Sequence, residues 1–135
     1  MNKYLAKIIA LDLDGLSTIS AIISGAKVLI ADIKYLPSSK VFLLSIERTK
    51  VETEQKDKKI NSVIRLDFVQ KVRSKNIDQS NKDLVLELIA IDYLKNNEDY
   101  EINLIFNNNA FIALTVETIE AVSYTHLRAH ETLIY

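Results

Sequence analysis

The chain has 135 residues, with 17 Lys and Arg against 18 Asp and Glu, two His, no Cys and a formal net charge of −1. The absence of Cys excludes disulfides, zinc–thiolate sites and a cysteine nucleophile, and the 48% of hydrophobic residues excludes a disordered chain. The near-neutral charge argues against a nucleic-acid binder and the short apolar runs against a membrane protein, so we expect a cytoplasmic chain without a cofactor.

The first two predicted elements are a strand over Lys7–Leu11 and a short amphipathic helix that follows it. Asp14 is the predicted N-cap of this helix, and Gly25 is predicted to end it. The helix is indicated by apolar residues that recur at helical spacing: Leu16, Ile19, Ile23 and Ala26.

The junction between this strand and this helix, Ile8–Gly15, resembles the first motif of haloacid-dehalogenase-like phosphatases, in which an apolar strand ends in Asp-x-Asp-Gly-Thr. The resemblance implies that Asp12 is the nucleophile, that Asp14 is the general acid/base and that magnesium neutralises the phosphate. However, Leu16 stands where the motif has Thr, and no second acidic pair lies at a predicted strand end. We therefore favour the simpler interpretation, in which Asp12 ends the strand, Asp14 caps the helix and the protein is not an enzyme.

After the helix, the hydropathy pattern changes to a period of two, which is typical of strands. Leu29–Tyr35 alternates in this way and is predicted to be a strand, followed by a turn at Pro37–Lys40. Val41–Arg48 is predicted to return as a second strand, and the highly charged segment Lys50–Lys59 is predicted to be a solvated loop.

Ser62–Asn76 alternates over fifteen residues, which is long for one strand, so we expect a bulge or bend near Gln70. Asp67 interrupts the basic residues of this segment, and no aromatic residues interleave for base stacking, which argues against a nucleic-acid partner. A solvated strand face is the favoured interpretation, and an anionic partner is the alternative. One face of the segment carries the candidate binding residues: Arg65, Lys71, Arg73 and Lys75.

The remaining predicted elements are strands and a final helix. Leu84–Tyr93 is apolar on both faces, and we favour a central strand over a helix because its neighbours are strands. Tyr100–Phe106 and Ile112–Val116 alternate on either side of Asn107–Asn109, which tolerates positive φ, so they form a predicted hairpin. Thr118–Ala121 is predicted to begin a closing helix that is cut off.

The last fourteen residues are predicted not to belong to the native domain. His126 and His130 have the spacing of half a zinc site on a helix, with Glu131 adjacent. However, Val122–Thr132 resembles, residue by residue, one reading frame of a transposase adapter from sequencing libraries. We therefore interpret residues 122–135 as an adapter-derived tail, predict no metal site, expect the tail to pack poorly and expect the native C-terminus to be missing.

Six stretches within residues 5–121 carry a family resemblance: Ile9–Asp12, Leu16–Ala21, Asp32–Pro37, Val72–Asp78, Leu84–Ile91 and Val116–Ala121. In order and spacing they resemble an uncharacterised alphaproteobacterial family, domain-of-unknown-function family 2948. The family tends to carry an aromatic residue and a Trp where this chain has Thr49 and Val51. The resemblance implies no known activity, so it supplies no catalytic residues.

These patterns together predict a single α+β domain over residues 1–121. Its mostly antiparallel, strongly bent sheet or partial barrel should have about seven strands, an N-terminal helix and a truncated C-terminal helix. A pleckstrin-homology-like architecture is the leading prediction, and an open antiparallel sheet is the alternative. For the function, we predict a non-enzymatic protein- or peptide-binding module that uses a sheet edge or the basic strand face. The alternative is a magnesium-dependent phosphotransfer enzyme that uses Asp12 and Asp14.

Overall fold

The structure is a computed structural model that describes residues 6–50 and 58–127. The helix predicted near the N-terminus is present as α1 (Leu13–Ile23), and a short 3₁₀ helix follows at Ile30–Asp32. Within the described ranges, no helix is long and apolar enough to cross a membrane. The strands, in chain order, are β1 (Ala6–Ala10), β2 (Ala26–Leu29), β3 (Ile33–Leu36), β4 (Val41–Lys50), β5 (Lys58–Leu66), β6 (Val69–Lys75), β7 (Val85–Asn96), β8 (Asp99–Phe106), β9 (Phe111–Val116) and β10 (Ala121–Leu127).

All ten strands belong to one antiparallel sheet with the order β1-β10-β5-β4-β2-β7-β8-β9-β6, and β3 pairs with β4 beside this path. The predicted α+β class with a mostly antiparallel sheet is therefore confirmed. The expected number of strands is wrong, because the described residues form ten. The sheet is open rather than closed, in agreement with the alternative architecture, and the pleckstrin-homology-like architecture stays a prediction.

Two of the predicted strands are each divided in the structure. The 3₁₀ helix interrupts Leu29–Tyr35, so that β2 pairs with β7 whereas β3 pairs only with β4. Ser62–Asn76 turns at Phe68, whose φ is 60°, and becomes β5 and β6. The bulge expected near Gln70 is confirmed, because the register of β6 against β9 shifts between Val69 and Lys71.

The predicted hairpin and its neighbouring strand are also present in the structure. β8 and β9 pair across the turn, and Asn108 and Asn109 adopt positive φ as their residue type allows. β7 confirms the strand predicted over Leu84–Tyr93. β4 reaches Lys50 and β5 begins at Lys58, while residues 51–57 of the predicted charged loop lie outside the described residues.

The core contains the inward-facing side chains of the sheet and the apolar face of α1, including the fully buried Ile19. α1 packs against β1 and β7, and it bonds to Ile89 and Ile91 of β7, just beyond the residues that pair with β2. The Ser20 hydroxyl accepts a hydrogen bond from the backbone N–H of Ile91 at 2.8 Å, and the Ser24 hydroxyl donates to the carbonyl of Ile89 at 2.9 Å. The helix thus satisfies edge groups of the sheet as well as covering its core.

The C-terminal part of the described chain differs from the expectation. The closing helix predicted from Thr118 is wrong, because the chain forms β10 there and pairs with both β1 and β5. The expectation of poor packing is also wrong for residues 122–124, since the strand alternates buried Ala121 and Ser123 with half-buried Val122 and Tyr124. Residues 128–135, with His130 and Glu131, lie outside the described residues, and the adapter origin of the tail stays a prediction.

Ser123 gives a prediction about stability. Its hydroxyl is buried and has no hydrogen-bond partner among the described residues, so Ser123→Ala is expected to raise the free energy of unfolding by about 1 kcal/mol in urea unfolding monitored by circular dichroism. Ser62 is the matched control, because it is equally buried but makes an interaction, so Ser62→Ala should lower the stability. Destabilisation by Ser123→Ala would contradict this description of the hydroxyl.

Candidate functional site

The strand–helix junction uses its two carboxylates differently from the prediction. Asp12, rather than Asp14, is the N-cap of α1, and its Oδ1 accepts a hydrogen bond from the backbone N–H of Gly15 at 2.8 Å. Asp14 lies exposed in the first helical turn, where its negative charge interacts favourably with the positive end of the helix dipole. The predicted cap is wrong because α1 begins at Leu13, so that Asp12, and not Asp14, directly precedes the helix.

The surroundings of this junction do not provide further ligands for a metal ion. β1 lies at one end of the sheet and is antiparallel to β10, whereas the phosphatase motif belongs to a parallel sheet. Among the described residues, no group of three or more His, Cys, Asp or Glu side chains could hold a metal ion. In the structure Asp12 caps the helix, and phosphotransfer by Asp12 and Asp14 stays a prediction.

Substitutions of Asp12 distinguish a role of this residue in helix capping from a role in phosphotransfer. Asp12→Ala should lower the free energy of unfolding by about 1 kcal/mol because it removes the cap, whereas Asp12→Asn keeps an acceptor and should retain most of the stability. Urea unfolding of both variants provides the measurement. In parallel, the hydrolysis of p-nitrophenyl phosphate in the presence of Mg²⁺ is measured as a test for phosphatase activity. Activity that Asp12→Asn abolishes in a folded protein would support phosphotransfer over simple capping.

The structure divides the four predicted binding cations between two strands. Arg65 lies on β5 before the bend and forms an ion pair with Asp67 at 3.0 Å, and the hydrogen bonds that its guanidinium donates to this carboxylate raise the pKa of Arg65. Lys71, Arg73 and Lys75 lie on β6 after the bend and are exposed. These three cations share one strand, whereas Arg65 lies on another.

Arg73 forms an ion pair with a side chain that lies two strands away in the sheet. Its Nη2 lies 2.7 Å from Oε1 of Glu101 on β8, and β9 lies between the two strands. Lys71 and Lys75 form no ion pair with any residue that the structure describes. The basic face of β6 therefore combines one oriented guanidinium with two ammonium groups that can bind a partner.

A groove of about 680 Å³ begins at Arg73 and crosses the outer face of β9, β8 and β7. Arg73 is in register with Ala113, and Ala113 is in register with Asn103, so only a small side chain stands between the guanidinium and the amide. We call this depression the outer groove. Its lining contains Arg73, Glu101, Asn103, Ile105, Phe106, Phe111, Ile89 and residues 107–110.

The hairpin between β8 and β9 forms one wall of the outer groove and is fixed at both sides. Asn107 exchanges two hydrogen bonds with the backbone of Glu87 on β7, both at 3.0 Å. Asn76, which follows β6, donates its side-chain amide to the carbonyl of Asn109 at 2.8 Å. The sequence predicted this turn but not its contribution to the groove. Three consecutive Asn residues, with three side-chain amides close together, are the signal in the sequence that could have indicated it.

The comparison with protein families gives one result for this chain. The sequence model described as "Protein of unknown function (DUF2948)" matches residues 6–132. The chain belongs to the DUF2948 family. The match confirms the family resemblance and continues into the segment that resembles adapter sequence. No curated protein and no solved structure matched this DUF2948 chain. Its function is therefore argued from the geometry of the site.

Proposed function

We propose that this DUF2948 chain is a non-enzymatic module that binds an acidic, extended segment of a partner protein in the outer groove. The observation that carries the proposal is a groove lined by the ion-paired Arg73, with the exposed Lys71 and Lys75 two residues before and after it on the same strand. Cations at the rim of a concave surface attract an acidic partner and set its orientation.

The interior of the outer groove suits a polypeptide. Ile89 is 45% exposed, and Ile105 and Phe111 are half-buried, so an apolar side chain of the partner can be covered here. Asn103 and the Asn-rich hairpin add amide groups that both donate and accept hydrogen bonds, as a peptide main chain requires. The groove thus offers contacts for acidic, apolar and backbone groups together.

Charge reversal tests this proposal. We would measure the fluorescence anisotropy of a labelled synthetic peptide of alternating Glu and Leu against the full chain. The double variant Lys71→Glu/Lys75→Glu should weaken binding about tenfold or more, and added salt should weaken binding to the parent. The matched control Lys27→Glu/Lys34→Glu changes two exposed lysines that lie outside the groove and should bind like the parent.

Two outcomes would contradict the proposal. One is equal affinity of the parent and the Lys71→Glu/Lys75→Glu variant, with both folded. The other is a set of peptide-induced amide shifts, measured by NMR, that lies away from β6, β8 and β9. Phe111→Ala adds a test of the apolar contact and should weaken binding without changing its salt dependence.

A further inference from the structure

A second cavity, of about 310 Å³, lies on the opposite face of β6. The open sheet leaves β3 paired only with β4 and β6 paired only with β9, so the two strands face each other without a ladder. Tyr35 on β3 bridges them at one end, where its hydroxyl donates to the carbonyl of Val69 at 2.7 Å. We call the space between them the seam cavity. Because strand residues alternate, Val72 and Ser74 face this cavity while Arg73 lines the outer groove.

The walls of the seam cavity combine apolar side chains with polar groups. The apolar side chains come from both strand edges, the core and the segment that follows β6: Ile30, Ile33, Phe42, Val72, Ile77 and Ile112. This lining would bury an aliphatic chain, and the volume lies at the lower end of the range found for small-molecule sites.

One of the polar side chains that line the seam cavity, Lys82, carries a charge. Gln79 donates its side-chain amide to the Ser74 hydroxyl at 2.8 Å, so these two groups satisfy each other. Lys82 is exposed, and it is the only charged side chain that lines the cavity among the described residues. Asp78 does not line it, and the hydrogen bond from the Ser80 hydroxyl holds the pKa of the Asp78 carboxyl below its usual value.

We propose that the seam cavity binds a small aliphatic carboxylic acid, with its chain between β3 and β6 and its carboxylate at Lys82. Charge complementarity selects an anionic head group, and the apolar walls select an unbranched or singly branched hydrocarbon chain. The site is separate from the proposed peptide groove, because the two use opposite faces of β6.

The first test follows the length of the aliphatic chain. Butyrate, hexanoate and octanoate are titrated into the ¹⁵N-labelled full chain, and amide shifts are recorded by NMR. We expect saturable shifts at Val72, Ile77 and Ile112, with an affinity that increases about fourfold for each added methylene. An absence of saturable shifts with octanoate, or shifts elsewhere only, would overturn the proposal.

The second test addresses the carboxylate. Lys82→Gln should weaken octanoate binding about two- to fivefold and leave octanol binding unchanged, because the neutral alcohol has no charge to pair. Lys27→Gln is the matched control, since this exposed lysine lies outside both the seam cavity and the outer groove. Equal effects of the two substitutions on octanoate would contradict the role of Lys82. Failure of these tests would leave peptide binding in the outer groove untouched, so the two proposals can be judged separately.

Discussion

Phe42→Ala is expected to lower the free energy of unfolding by about 3–5 kcal/mol. The Phe42 side chain is 1% exposed, belongs to the core and also lines the seam cavity. Removing its ring forfeits a large apolar contact area and leaves a void that the surrounding strands cannot fill completely. Because a small domain has a total stability of about 5–15 kcal/mol, this loss removes a large fraction of it.

Urea unfolding monitored by circular dichroism measures this loss. Leu94→Ala is the control, since Leu94 is 58% exposed on β7 and its truncation should change the stability by no more than about 0.5 kcal/mol. A loss below about 1 kcal/mol for Phe42→Ala would show that the ring is not packed as described.

Gly15→Val is expected to lower the free energy of unfolding by about 1–3 kcal/mol. A Cβ atom at Gly15 would lie 2.9 Å from the Cα and 3.0 Å from the Cβ of Ala10, at the point where α1 packs against the end of β1. The Cα belongs to the backbone of a paired strand, so the helix must move away from the sheet. This steric cost is larger than the gain in helix propensity that the replacement of a glycine would otherwise bring.

Ser17→Val provides the control for Gly15→Val, because Ser17 lies on the exposed side of the same helix. Its effect should be a few tenths of a kcal/mol, since only helix propensity changes. Thermal unfolding of the two variants gives the comparison. Similar midpoints would contradict the close approach of Gly15 to Ala10.

Local patterns predicted most individual strands, whereas their arrangement required long-range contacts. The alternation over Tyr100–Phe106 and the Asn residues after it are sufficient for a hairpin, because its two strands are neighbours in sequence. In contrast, β6 continues β5 in sequence but pairs with β9, and β10 inserts between β1 and β5. A period of two says that a segment is a strand and which residues share a face, but it does not identify the partner strand.

The same distinction applies to the candidate site. Alternation alone placed Lys71, Arg73 and Lys75 on one face of a strand, and the structure retains that arrangement. The ion pair of Arg73 with Glu101 depends on β9 lying between β6 and β8, so sequence could not predict it. Asp12 and Asp14 were both able to cap a helix, and the choice between them depended on a start at Leu13.

The place of β10 between β1 and β5 has a consequence for folding during synthesis. The first described strand cannot complete its pairing with the sheet until Thr125 has left the ribosome, since β10 is its pairing partner. Until then, β5 also presents an unpaired edge on that side, which can pair with other chains. We expect the nascent chain to be open to such pairing until β10 has emerged.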